Sequence, residues 1–153
     1  MLRRLVLASL VTSAAGVGGL GPLPPLPLLS APDALTVTIS KSGHRSADGT
    51  FKLECGDKDG KDAKGAKARG DHPAAAGACE RLAGYAKAGK DPFAPVGKDR
   101  MCSLQHGGPA VAHITGEWQG RAVDARFSRA NGCEIERWEN LEPVLPHLSH
   151  VRG

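Results

Sequence analysis

The chain has 153 residues, 41% of them hydrophobic, with only three phenylalanines, two tryptophans and one tyrosine, and a formal net charge of +4. That length fits a single domain. Loss of Arg3 and Arg4 with an export leader lowers the Lys and Arg total from 20 to 18 against 16 Asp and Glu, an excess too small to imply nucleic acid or an anionic membrane as partner.

The opening MLRRLVLASLVTSAAGVGG has the layout of a secretory signal: Arg3 and Arg4, an apolar stretch from Leu5 to Val11, then small residues. Gly and Pro interrupt the apolar run before the roughly 18 residues of a membrane span. Ser13-Ala14-Ala15 suits a signal peptidase, and later sites up to Ala34 stay open. The proline-rich GPLPPLPLLSAP that follows reads as an extended spacer. Residues 1–33 are therefore assigned to a leader, and the mature chain is expected to be secreted, with no membrane attachment.

ALTVTISKS (34–42) sets Leu35, Val37 and Ile39 against Thr36, Thr38 and Ser40, and GTFKLECG (49–56) alternates Phe51, Leu53 and Cys55 with Lys52 and Glu54. Period two with β-branched residues predicts two strands joined by a turn. DKDGKDAKGAKARGD (57–71) interleaves lysines with four aspartates and four glycines, which reads as a mobile surface loop. In DHPAAAGACERLAGYAKAGKDP, Asp71 or His72 is expected to cap a helix with Pro73 in its first turn. Ala75, Ala78, Cys79, Leu82 and Tyr85 or Ala86 recur at helical spacing, and Gly89 and Pro92 end the run. Further on, Ala112, Ile114 and Gly116 alternate with Val111, His113 and Thr115, while Val123, Ala125 and Phe127 alternate with Asp124, Arg126 and Ser128. GEWQG between them reads as a hairpin connection. NGCEIERW, with Cys133, Ile135 and Arg137 at period two, is expected to form a last short strand or extended piece, and the proline-broken tail 141–153 is left unplaced. The sum is an α+β domain over residues 34–140, with an antiparallel sheet of about five strands and one main helix.

Cys55, Cys79, Cys102 and Cys133 in an exported chain imply two disulfides. Three pairings are open, and each bond contributes roughly 3 to 4 kcal/mol on the loop-entropy model. Using the cysteines as disulfides leaves no thiol nucleophile. Ser103 near His106 lacks a GxSxG elbow and an acidic orienting group, so no enzyme is expected. His147 and His150 sit three apart without further ligands at zinc spacing, so no metal and no cofactor are expected. Trp118 reads as core or hairpin packing, and Trp138 stays undecided.

RMCSLQHGGPA (100–110) places an apolar Leu104 two residues after Cys102, before Gln105, His106 and a Gly-Gly-Pro break. No helical or strand pattern surrounds this leucine, so it reads as presented beside an anchored cysteine. A protease binds an extended peptide with one side chain in its main pocket, and a loop already fixed in that form loses little entropy on binding.

ALTVTISKS, DHPAAAGACERL, MCSL, ITGEWQGRAVDARFS and NGCE, in this order, resemble the Streptomyces subtilisin inhibitor family of secreted serine-protease inhibitors. The resemblance implies disulfides Cys55–Cys79 and Cys102–Cys133, helices packed on a five-stranded antiparallel sheet, the second of them short, and a homodimer. It makes Leu104 the primary specificity residue and Leu104–Gln105 the scissile bond. Met101, Cys102 and Ser103 then line the non-primed side, and Gln105 and His106 the primed side. A leucine suits subtilisin-like and chymotrypsin-like proteases, whereas a trypsin-like pocket wants Arg or Lys. The chain is one residue longer than the family pattern at Gly107-Gly108, which is expected to loosen the primed side. A non-inhibitory binding module on the same scaffold is the alternative; anionic-polymer binding by the Lys-rich loop is a weaker third reading, distinguished by steep salt dependence.

Overall fold

In the computed structural model, which describes residues 33–56 and 67–149, the alternating segments form strands. The leader apart from Asp33, the stretch 57–66 of the basic segment, and residues 150–153 with His150 lie outside the described residues. Strands β1 (Asp33–Ser40), β2 (Gly49–Gly56), β3 (Lys67–Gly70), β4 (Val111–Trp118) and β5 (Arg121–Ser128) make one sheet of order β3-β2-β1-β4-β5. Every neighbouring pair is antiparallel. Central β1 is in register with both sides, Val37 lying opposite Phe51 of β2 and Ile114 of β4.

One face of the sheet is apolar. Leu35, Val37, Ile39, Leu53, Ala112, Ile114, Val123, Ala125 and Phe127 are all buried, each large side chain contributing about 1.5 to 3 kcal/mol. Helix α1 (Ala75–Lys87), helix α2 (Gly132–Asn140) and the segment after α2 share one core cluster with this face. Opposite it, Thr38 and Thr50 hydroxyls meet at 3.1 Å, and His113 bonds Asp124 at 2.7 Å. The Asp124 carboxyl is held below its ordinary value chiefly by that hydrogen bond. The hairpin turns on Gln119 and Gly120, with φ of 51° and 69°, the two positive values of a type I′ turn. β4 therefore reaches Trp118, which is buried edge-on against Phe93 at 5.5 Å between centroids.

Several expectations need correction. NGCEIERW is helical, not extended: Asn131 Oδ1 accepts the Glu134 N–H at 3.0 Å as an N-cap. Ile135, Trp138 and Leu141, all buried, recur at three-residue spacing, and this longer pattern outweighs the period-two reading of three residues. The fifth strand lies in the segment read as a loop. There Ala68 packs against the core and Arg69 is exposed, a charged edge strand that resists further pairing. Neither Asp71 nor His72 caps α1, whose N-cap is Ala74 without a side-chain bond. His72 is instead buried; its Nδ1 accepts from the Ala74 N–H at 3.2 Å, and its Nε2 donates to the Val144 carbonyl at 2.9 Å. Asp71 accepts the Lys52 N–H.

The unplaced tail is core. Leu141, Val144, Leu145 and Leu148 are buried, and the Trp138 indole N–H donates to the Pro146 carbonyl at 2.9 Å. Tyr85 and Arg81 of α1 donate to the carbonyls of Asn140 and Glu142. Trp138, fully buried, is therefore the packing centre beneath this segment. Disulfides join Cys55 to Cys79 and Cys102 to Cys133.

Candidate functional site

Residues 101–108 have no regular secondary structure and run between α1 and β4 as an exposed segment. Leu104 and Met101 are each 97% exposed. Isolated apolar side chains on a surface are ordinary, but these two stand on a segment fastened on both flanks.

The first flank is fixed from α2. Cys133, buried in the first turn of the helix, holds Cys102 at a Cα–Cα distance of 5.3 Å. The next helical N–H, that of Gly132, is one of the donors a helix start leaves free; it donates to the Ser103 carbonyl at 3.0 Å. A Cβ on Gly132 would meet the Ser103 hydroxyl, which would have to rotate away. Arg100 adds an exposed ion pair with Glu136 at 2.5 Å, of little energetic weight at the surface.

The second flank is fixed from the end of β5. The Gly107 N–H donates to the Arg129 carbonyl at 2.8 Å, and the Arg129 Nε–H donates back to the Gly107 carbonyl at 2.9 Å. Gly107 is buried, and a Cβ there would fall 2.9 Å from Arg129 Nε and 2.9 Å from Ile135 Cγ1. The expected slackness of the Gly107-Gly108 pair is thus corrected at Gly107, which is clamped; Gly108, with φ of 100°, makes the bend after it. Between the Ser103 carbonyl and Gly107, the residues Leu104, Gln105 and His106 project into solvent.

The residues singled out in the sequence therefore come together: Met101, Cys102, Ser103, Leu104, Gln105 and His106 form one exposed ridge, with Cys133 beneath it. The other disulfide, Cys55–Cys79, joins β2 to α1 and shares no residue with the ridge. Ser103 packs against Gly132, and His147 pairs with Glu142 at 3.0 Å. Among the described residues, no group of three or more His, Cys, Asp or Glu side chains could hold a metal ion.

Arg129 was not singled out from the sequence. The signal was present, because Val123, Ala125 and Phe127 face the core and the same alternation carries residue 129 inward. An arginine there reads as the end of the strand rather than as its next buried residue.

The pattern of the family described as subtilisin inhibitor-like matches residues 31–131. The chain is similar to subtilisin inhibitor-like protein 2 of Streptomyces rochei, 32% identical over 108 residues that span 69% of this chain and 85% of the relative. It is similar also to a subtilase-type protease inhibitor of Streptomyces coelicolor, 32% identical over 111 residues, 69% of this chain and 67% of the relative. Among solved structures, Streptomyces caespitosus sermetstatin in complex with Bacillus licheniformis subtilisin aligns with a TM-score of 0.45 and 22% identity, over 76% of this chain and 100% of that one.

Proposed function

Since the chain belongs to the subtilisin inhibitor-like family, a family of protease inhibitors and not of enzymes, we propose that it inhibits subtilisin-like serine proteases reversibly, as a substrate mimic, with Leu104 in their primary specificity pocket. The observation that carries this reading is an apolar side chain 97% exposed on a ridge whose two flanks are fastened to the scaffold. Chymotrypsin-like proteases, which also accept a large apolar residue, are secondary targets.

In this reading Leu104–Gln105 is the scissile bond. The protease serine Oγ adds to the Leu104 carbonyl, the bond to Gln105 nitrogen breaks, and the protease histidine passes the serine proton to the departing amine. An ordinary substrate loses its amine fragment, and water then opens the acyl-enzyme. Here both flanks stay bound to one scaffold, so the Gln105 amine remains beside the ester, attacks it and returns the proton to serine. The ridge needs little ordering on binding, which favours affinity, and an interface on the order of 1,200 to 2,000 Å² is expected. Met101, Cys102 and Ser103 line the non-primed side, and Gln105 and His106 the primed side.

The proposal includes export behind a leader over residues 1–33, consistent with two disulfides that need an oxidising compartment, and a homodimer in solution. Titration of subtilisin with the oxidised mature protein, followed by mass spectrometry of the products, tests the central reading. Stoichiometric loss of activity with one slow cut after Leu104 is expected. Rapid digestion without inhibition, or a cut elsewhere in the ridge, refutes it.

A further inference from the structure

Arg129 has a side chain with no exposed surface. A buried guanidinium is costly unless its donors are used; this one spends Nε and Nη2 on two loops, while Nη1 has no hydrogen-bond partner among the described residues. Its Nε–H goes to the Gly107 carbonyl at 2.9 Å, and Nη2 to the Leu148 carbonyl at 3.2 Å. A Glu139 carboxylate oxygen lies 3.9 Å from Nη1, close enough for charge balance but not for a hydrogen bond, and the Trp138 ring centroid lies 6.0 Å away. The backbone carbonyl of the same residue takes the Gly107 N–H. Both polar backbone atoms of Gly107 therefore bind residue 129.

We infer that Arg129 is a positioning residue of the inhibitory reaction: it holds the primed flank of the Leu104–Gln105 bond and ties that flank to the C-terminal segment at Leu148. The inference rests on the substrate-mimic reading above. The two flanks are held by different means. The non-primed side has a covalent staple at Cys102, whereas the primed side has none before β4, and Gly107 is its first anchored residue. When the bond opens, the new Gln105 amine sits two positions before Gly107. If Gly107 stays in place, the amine is near the ester and the peptide bond re-forms. If Gly107 swings out, water completes hydrolysis, forming the Leu104 carboxylate and freeing the serine. Arg129 thus acts on the partition between religation and hydrolysis rather than on the first encounter.

The test compares the full-length mature protein with Arg129→Met, which keeps the bulk and the backbone bond but removes the guanidinium. Each is incubated with subtilisin, and two quantities are read: the rate at which complexed inhibitor is turned over, and the ratio of cleaved to intact inhibitor approached from both sides. The expected result is a rise of about tenfold in turnover and in that ratio, the worth of one hydrogen bond to a charged group. Leu82→Ala, which empties a buried position in α1 away from the ridge, is expected to leave the ratio unchanged. If wild type is cut after Leu104 and R129M keeps the wild-type turnover and ratio, the role of Arg129 is overturned and the inhibitor reading stands. A Leu82→Ala ratio that shifts equally also overturns it, reducing Arg129 to scaffold stability. Failure of wild type to be cut there removes both readings. Should R129M not fold, Gly107→Ala decides: it keeps the guanidinium and displaces the loop, so the same shift is expected and an unchanged ratio overturns the inference.

Discussion

Serine at both positions 102 and 133 removes the bond that holds the first flank of the ridge. The closed loop has a sequence separation of 31, so its loss costs about 3.7 kcal/mol on the chain-entropy model. The other disulfide, with a separation of 24, gives about 3.5 kcal/mol by the same expression. The two double variants should therefore lose nearly equal stability, which urea unfolding followed by fluorescence of the buried Trp118 and Trp138 can measure. Their inhibition should differ. Cys102→Ser/Cys133→Ser leaves Ser103 and Leu104 held on that flank by the Gly132 N–H bond and the exposed Arg100–Glu136 ion pair, and subtilisin should digest the variant as a substrate. Cys55→Ser/Cys79→Ser weakens the β2–α1 connection and should still inhibit stoichiometrically. Equal persistence of inhibition in both variants, or equal loss in proportion to stability, would sink the argument that local fixation of the ridge matters.

Leu104→Lys should move inhibition toward trypsin-like proteases, whose pocket carries a carboxylate; unchanged inhibition of subtilisin alone, in a titration against both enzymes, counts against Leu104 as the primary contact. Leu145→Ala should destabilise by about 2 to 5 kcal/mol in urea unfolding, because the side chain is fully buried; a loss under about 0.5 kcal/mol is the behaviour of a surface tail and contradicts the packing. His72 is poised to sense acid. Its Nδ1 accepts and its Nε2 donates, a pairing only the neutral ring makes, and burial chiefly holds its pKa below 6.5, against smaller raising contributions from the Val144 carbonyl and Asp71. A base with a lowered folded pKa contributes full stability above 6.5 and loses it as pH falls through the folded value. The urea midpoint should therefore drop below pH 6.5 in wild type, with a shallower slope in His72→Gln; identical slopes rule His72 out.

Most of the sheet was legible because a half-buried strand repeats every two residues, and β1, β2 and β5 show that period without interruption. Helix α1 was legible for the same reason at helical spacing, although its start was not: His72 bonds the far tail rather than capping the helix. The exposed ridge was also visible, since Leu104 belongs to no apolar pattern and adjoins a cysteine. Charge misled the reading of β3, which pairs along Leu53 to Gly56 of β2 and sets Ala68 against the core. Short length misled the reading of α2, which a cap and a buried tryptophan define together.

The sequence by itself determined the local periods, the cysteine count and the residue offered at the loop's tip, because each is written in neighbours along the chain. The tertiary structure alone decided which polar bonds hold the second flank of that tip and the C-terminal tail. Arg129 meets Gly107 across 22 positions, His72 meets Val144 across 72, and Arg81 meets Glu142 across 61. Such bonds depend on which buried polar group finds a partner once the core has closed, and no spacing rule along the chain encodes that choice.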